Sequence, residues 1–335
     1  MAIKDIFIRR RFTVLDLLLV LVASLALHFY FNRAPVTNTS HSVRRPGNYQ
    51  LISPLVECEP DSSQLTLLTP LKLQVQNQIN QLTKKNNLEL ISVYFRDLNN
   101  GPWFGINQDE LFSPASLIKV PIMMAYFKIA ESDPAVLTNK LVFKPTPKLE
   151  VPNITPAATL TPQESYTIQD LIERMIIHSD NDSFSLLTEH LGTEKIKKLF
   201  SDLDVDLTQT YTHPLGNNLG VRQYASFFRI LYNASYLSPE MSEKALSLLT
   251  RVEYKKGLNS FTPNNIKIAH KFGERSYSDN YQHQLHDCGI VYFPKSPYLI
   301  CIMTRGNVDF PILEKAIQSI SQNVFAYFSS HFTPN

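Results

Sequence analysis

Hydrophobic periodicity changes twice along this chain, and the two changes decide most of what it can fold into. Leu88–Leu98 (LELISVYFRDL) reads as a strand, followed by a turn at Asn99-Asn100-Gly101-Pro102 and a second apolar piece at Trp103–Ile106. Strand-like runs return only near the other end, at Lys267–Phe272, Asp287–Phe293 and Tyr298–Thr304, the last two joined by Pro294-Lys295-Ser296-Pro297. Helical spacing brackets them. Leu67–Lys85 aligns Leu71, Val75, Ile79 and Leu82, and Pro311–Ser329 aligns Leu313, Ile317, Ile320 and Val324. Between the two strand groups lie helical segments at Ser113–Ala130, Thr167–Ile177, Asp182–Leu191, Val221–Tyr236 and Pro239–Arg251. Ser132–Glu164, with six prolines, reads as irregular. This order predicts an α+β domain: an antiparallel sheet built from both ends of the chain, terminal helices on it, an all-α lobe from the middle, and a cleft between lobes.

The first residues set location. Lys4 and Arg9–Arg11 make a basic tail over 1–11, followed by an apolar run from Val14 to Phe31 broken by Asp16 and His28. Val14–Phe31 would span about 27 Å as a helix, close to the ~30 Å hydrocarbon thickness. The basic flank stays in the cytoplasm, so 12–31 is expected to be a single-pass signal-anchor in the plasma membrane with the rest extracytoplasmic. Ala26-Leu27-His28 is a poor cleavage site, which argues against a removed signal peptide. Residues 32–66, rich in Ser, Asn, Thr and Pro, read as a linker, and 67–335 as the folded domain.

Composition narrows the partners. Of 335 residues 44% are hydrophobic, enough for a substantial core, and a formal net charge of +2 without a long basic block outside the tail argues against nucleic acid. Cys58, Cys288 and Cys301 show no zinc-ligand spacing, and no metal or organic cofactor is implied. Cys288 and Cys301 fall on neighbouring strands, but an odd count with no regular framework favours free, buried thiols.

Three short patterns carry chemistry. Ser116 and Lys119, three apart, share a helix face and set a hydroxyl beside an amine. Lys119 is the only charge between Leu111 and Phe127, so burial should lower its pKa toward that of a usable base. Ser179-Asp180-Asn181 opens the next helix, and Lys271-Phe272-Gly273 ends a strand. A second Ser-Asp-Asn, Ser278-Asp279-Asn280, sits in a polar stretch, Glu274–Gln284, that reads as a loop.

In that order the three patterns resemble the S-x-x-K, S-D-N and K-T-G signature of the penicillin-recognising serine hydrolases, most closely class A β-lactamases. The resemblance covers about Thr66 to the end and agrees with the two-lobe layout. It implies acyl-enzyme chemistry, with Ser116 as nucleophile and Lys119 as its base. Ser179 and Lys271 would pass a proton to the leaving group, and the N–H groups of Ser116 and Glu274 would hold the oxyanion. Asn181 would bind a substrate amide, Gly273 would leave room for substrate along the strand edge, and Asp180 would brace its own loop.

Two departures bear on substrate. Class A enzymes activate the deacylating water with a glutamate in an E-x-x-x-N loop. The corresponding Tyr211–Asn218 (YTHPLGNN) has no carboxylate, only His213 and Asn217 at that spacing. Phe272 stands where that family has Thr or Ser, and Glu274 follows the glycine, removing a hydroxyl that would bind a β-lactam carboxylate and adding a negative charge. The expectation is a bacterial membrane-anchored serine hydrolase acting on cell-envelope amides or esters, with a small-molecule or peptidoglycan-type substrate. A β-lactamase with atypical deacylation and a catalytically idle peptidoglycan-binding domain stand as alternatives.

Overall fold

The computed structural model describes residues 43–44, 49–53, 55–57, 68–99, 101–145, 160–203, 218–277 and 281–331. The tail and anchor expected over 1–31 lie outside the described residues, as does much of 32–66. Among the described residues, no helix is long and apolar enough to cross a membrane.

The centre is a five-stranded, wholly antiparallel sheet of β1 (Leu90–Asp97), β2 (Trp103–Ile106), β3 (Ile268–Ser276), β4 (His283–Val291) and β5 (Tyr298–Gly306), ordered β2-β1-β5-β4-β3. The first strand made therefore lies against the last. Alternation sends Ile91, Val93 and Phe95 of β1 to one face, joined by Ile300 and Ile302 of β5. Two helices cover that face: α1 (Thr69–Asn86) through Leu71, Val75 and Ile79, and α8 (Phe310–His331) through Leu313, Ile317, Ile320, Val324 and Phe328. Each such side chain contributes about 1.5–3 kcal/mol on burial. Pro70 sits in the first turn of α1, and Asn87 ends the helix in the left-handed region at φ 53°.

The opposite face carries Tyr94, Cys288, Ile290, Leu299, Cys301 and Met303 and packs on the helical lobe. With both faces covered, the strands read as nearly continuous apolar runs. Among the described residues the lobe comprises α2 (Lys119–Ala130), α3 (Ile168–Ile177), α4 (Asn181–Leu191), α5 (Thr193–Asp202), α6 (Val221–Asn233) and α7 (Pro239–Leu249). Thr167 caps α3 in a reciprocal capping box with Asp170.

Several expectations are corrected. β3 runs to Ser276 and β4 begins at His283, so both ends of the expected loop Glu274–Gln284 are strand; their polar residues give no apolar alternation to reveal it. Helix α5 has no counterpart among the helices expected from the sequence, although Ile196, Leu199 and Phe200 keep i, i+3, i+4 spacing. Inside the proline-rich segment, Lys140–Val142 pairs with Ser165–Thr167. Cys288 and Cys301, expected as free thiols, are directly opposed across β4 and β5 and form a disulfide. Direct opposition is the register that brings two Cβ atoms closest.

Part of the presumed linker is docked. Leu51 and Ile52 are buried, and the Glu243 carboxylate accepts from the backbone N–H groups of Gln50 (3.0 Å), Leu51 (2.9 Å) and Ile52 (3.0 Å). The Leu51 carbonyl takes the Tyr292 hydroxyl at 2.9 Å. An anionic acceptor facing three consecutive amides replaces the hydration this segment would otherwise need.

Candidate active site

Ser116 does not sit within an α-helix as expected. Ala115–Ile118 forms one 3-10 turn, and α2 begins at Lys119. Ala115 adopts φ 45°, a conformation that costs a residue bearing a Cβ about 1–3 kcal/mol and recurs at functional sites. The i, i+3 relation survives: Lys119 Nζ lies 3.0 Å from Ser116 Oγ.

Lys119 is 1% exposed, and α2 around it (Val120, Ile122, Met123) is wholly apolar. Its Nζ also reaches the Ser179 carbonyl at 2.6 Å, Ser179 Oγ at 3.2 Å and Asn181 Oδ1 at 2.6 Å. Burial pulls its pKa down to about 7, against the opposing charges of Asp180 and Glu274. A substantial fraction of this amine is therefore neutral near pH 7 and can accept a proton.

Ser179 leads into α4 with φ 56°. Its neighbour Asp180 is the N-cap, accepting from Ser183 N at 2.9 Å and from the Ser183 hydroxyl. That fixes the loop, so Asp180 is committed to local structure.

Lys271, on edge strand β3, is fully buried and donates from Nζ to Ser179 Oγ at 2.9 Å and to the Phe272 carbonyl at 3.1 Å. Burial, then the charge of Lys119, pushes its pKa well down, while Asp287 and Glu274 pull it back. The four residues Ser116, Lys119, Ser179 and Lys271 thus form one connected chain of contacts from both lobes.

Gly273 lies close against the turn that holds Ser116. A Cβ there would lie 3.2 Å from Ser116 N and 3.0 Å from Leu117 Cγ, so the glycine lets β3 press against the Ser116 turn. Phe272 is buried and stacked on Tyr254 at 4.3 Å. Glu274 is half-buried, near enough for its charge to bear on both lysines. His213, Asn217 and Ser278-Asp279-Asn280 lie outside the described residues. Sequence reasoning missed Phe184, whose ring centroid is 5.8 Å from Lys119 Nζ, and Gln284 and His286, buried polar groups beneath the serine turn. Gln284 fell in the expected loop and His286 before the expected strand Asp287–Phe293, so nothing in the sequence signalled the last two. A separate depression of about 740 Å³ between Leu68, Lys72, Trp103 and Glu110 contains none of the four.

The fold has many solved counterparts. PBP-A superposes with a TM-score of 0.65 at 23% identity, covering 77% of this chain and 96% of that one. A PBP-A variant has been solved as its acyl-enzyme complex with penicillin G. The TLA-1 extended-spectrum β-lactamase gives 0.66 at 18% identity (76% and 98% covered), and a β-lactamase from Chitinophaga pinensis gives 0.64 at 18% (76% and 99%). No curated protein sequence matches the chain. The model of the beta-lactamase enzyme family matches residues 74–328. Most of the chain is spanned by that match, so it belongs to the beta-lactamase enzyme family, as a serine hydrolase of the β-lactamase and penicillin-binding-protein type.

Proposed function

We propose that this protein is anchored in the plasma membrane by 12–31, faces the extracytoplasmic side, and cleaves cell-envelope amides or esters through an acyl-enzyme on Ser116. The observation that carries this is Lys119 Nζ, buried and 3.0 Å from Ser116 Oγ, with its pKa pulled to about 7. Neutral Lys119 takes the Ser116 proton as Oγ bonds to the carbonyl carbon, and the oxyanion is received by the N–H groups of Ser116 and Glu274. When the C–N or C–O bond breaks, the Ser179 hydroxyl protonates the leaving atom and recovers a proton from Lys271 or Lys119. Asn181 holds a substrate amide. The partner is a peptidoglycan-type or small-molecule substrate, with no nucleic acid involved.

Glu274 and buried Phe272 support a substrate other than penicillins. Where the resembled signature offers a hydroxyl for a carboxylate, this chain offers a ring stacked on Tyr254 and a nearby negative charge, which favours an amine-bearing acyl donor. Tyr211–Asn218 supplies no carboxylate to activate water, so deacylation is slow.

Intact mass of the full-length protein after a fluorophosphonate and after penicillin G, with Ser116→Ala as control, tests the reading. Fluorophosphonate labelling dependent on Ser116, with a slow or lasting penicillin adduct, is the expected result. Rapid penicillin turnover without adduct would make it a β-lactamase, and silence toward both reagents would leave a binding domain.

A further inference from the structure

Ala115 needs an explanation, because a strained residue persists only where its surroundings over-determine it. The source lies on β4. Gln284 and His286 are two residues apart, share a strand face, and are both wholly buried. Gln284 Oε1 accepts from the N–H of Ser113 at 3.0 Å. His286 Nε2 donates to the carbonyl of the same Ser113 at 3.1 Å. Ser113 is thereby held through both of its backbone polar groups, as a ladder residue of a sheet would be, although it belongs to no strand.

The surroundings make the grip rigid. His286 meets Phe112 edge-on at 5.3 Å between ring centroids, and the Leu285 carbonyl beside it is tied to Thr304 Oγ1 at 2.7 Å. Burial holds the His286 imidazole down to about 4, so the ring is neutral, with its proton on the nitrogen that faces Ser113. In the register of β4 on β3, His286 stands directly opposite Gly273. One end of the turn is therefore gripped by His286, and the other end, Ser116 N, comes down on Gly273 beside it. Pro114 between them has its φ locked at −62°. The backbone bend must then fall at Ala115.

We infer that Gln284 and His286 are positioning residues for the nucleophile: by clamping Ser113 they keep Ala115 in its left-handed conformation and so aim Ser116 Oγ at Lys119 and Ser116 N–H at the edge of β3. This goes beyond the assignment of Ser116 as nucleophile and rests on it. A merely structural role for the pair would lower stability without changing how fast a bound reagent reacts.

The experiment compares full-length wild type, His286→Leu, His286→Gln and Gln284→Met for melting temperature and fluorophosphonate labelling, separating reagent affinity from the maximal labelling rate. His286→Leu and Gln284→Met should label at least about tenfold more slowly at saturation, with affinity little changed. His286→Gln places an amide N–H near the position of Nε2 and should restore the rate to within about threefold. Wild-type rates in folded His286→Leu or Gln284→Met would overturn the inference, as would a folded His286→Gln as slow as His286→Leu. Should His286→Leu not fold, Gln284→Met decides: slow labelling supports the clamp and wild-type labelling refutes it. Silence of the wild type itself would instead remove Ser116 as nucleophile, and the clamp with it.

Discussion

Lys271 Nζ and Ser179 Oγ meet at 2.9 Å although 92 positions separate them in the chain. This contact joins the sheet edge to the helical lobe. The same hydroxyl also lies 3.2 Å from Lys119 Nζ, so it stands between two buried amines, and the charge of Lys119 lowers the tendency of Lys271 to hold a proton. Both lysines being charged at once is the costly state, and the proton transfer through Ser179 proposed above would relieve it.

The labelling rate should follow the neutral form of Lys119. Its pKa is about 7, so fluorophosphonate labelling is expected to climb through that pH and level off above it. Lys119→Met should lose both the climb and at least about a hundredfold in rate. A rate profile flat between pH 5 and 9 in the wild type would exclude Lys119 as the base.

Glu274→Gln removes a charge that raises the pKa of both lysines. The rise in labelling should therefore shift to lower pH, with Asp180, the larger opposing charge on Lys119, left in place. Penicillin G adduct formation should become several-fold faster as carboxylate repulsion is relieved, and stopped-time mass spectra would measure it. An unmoved profile together with unchanged adduct formation would show that Glu274 does not act on the site.

Gly273→Ala puts a methyl group 3.2 Å from Ser116 N, and backbone cannot yield as a flexible side chain would. The expected result is a labelling rate lowered by about a hundredfold, since a displacement near 1 Å has that scale of effect. The accompanying loss of stability should be about 1–3 kcal/mol by denaturant unfolding.

Glu243→Ala leaves the N–H groups of Gln50, Leu51 and Ile52 without their acceptor. Limited proteolysis should then cut near Tyr49–Ser53 under conditions that spare the wild type, and stability should fall by about 1–3 kcal/mol. Ser116 labelling should not change, because this strap touches none of the four central residues.

The sequence made some parts of this molecule legible and hid others for identifiable reasons. The apolar strands and the terminal helices announce themselves through Val93, Phe95, Ile300 and Leu313, whose spacing is set by what they bury. Ser116, Lys119, Ser179 and Lys271 are recognisable because their order and elements are specific, and the structure brings them within hydrogen-bonding distance of one another. Gln284 and His286 were hidden because a buried polar residue looks like a loop residue until its partner is known, and Ser113 is more than 170 positions away. Cys288 and Cys301 were misjudged because their pairing depends on strand register, which a count of cysteines does not contain. The close fit of Gly273 against Ser116 N likewise follows from tertiary packing alone.

The strand order β2-β1-β5-β4-β3 also sets a schedule for the newborn chain. Ser116, Lys119 and Ser179 emerge early, and the helices around them can associate from nearby sequence. Lys271, Gly273 and the clamp residues arrive with Ile268–Gly306, and β1 must wait for β5 before it has its central neighbour. A half-synthesised chain thus carries a serine and a lysine with no strand edge to receive a substrate. With the substrate received at the edge of β3, as proposed above, the hydrolase would stay silent until it is finished, and the order of its own synthesis would limit when it can first react.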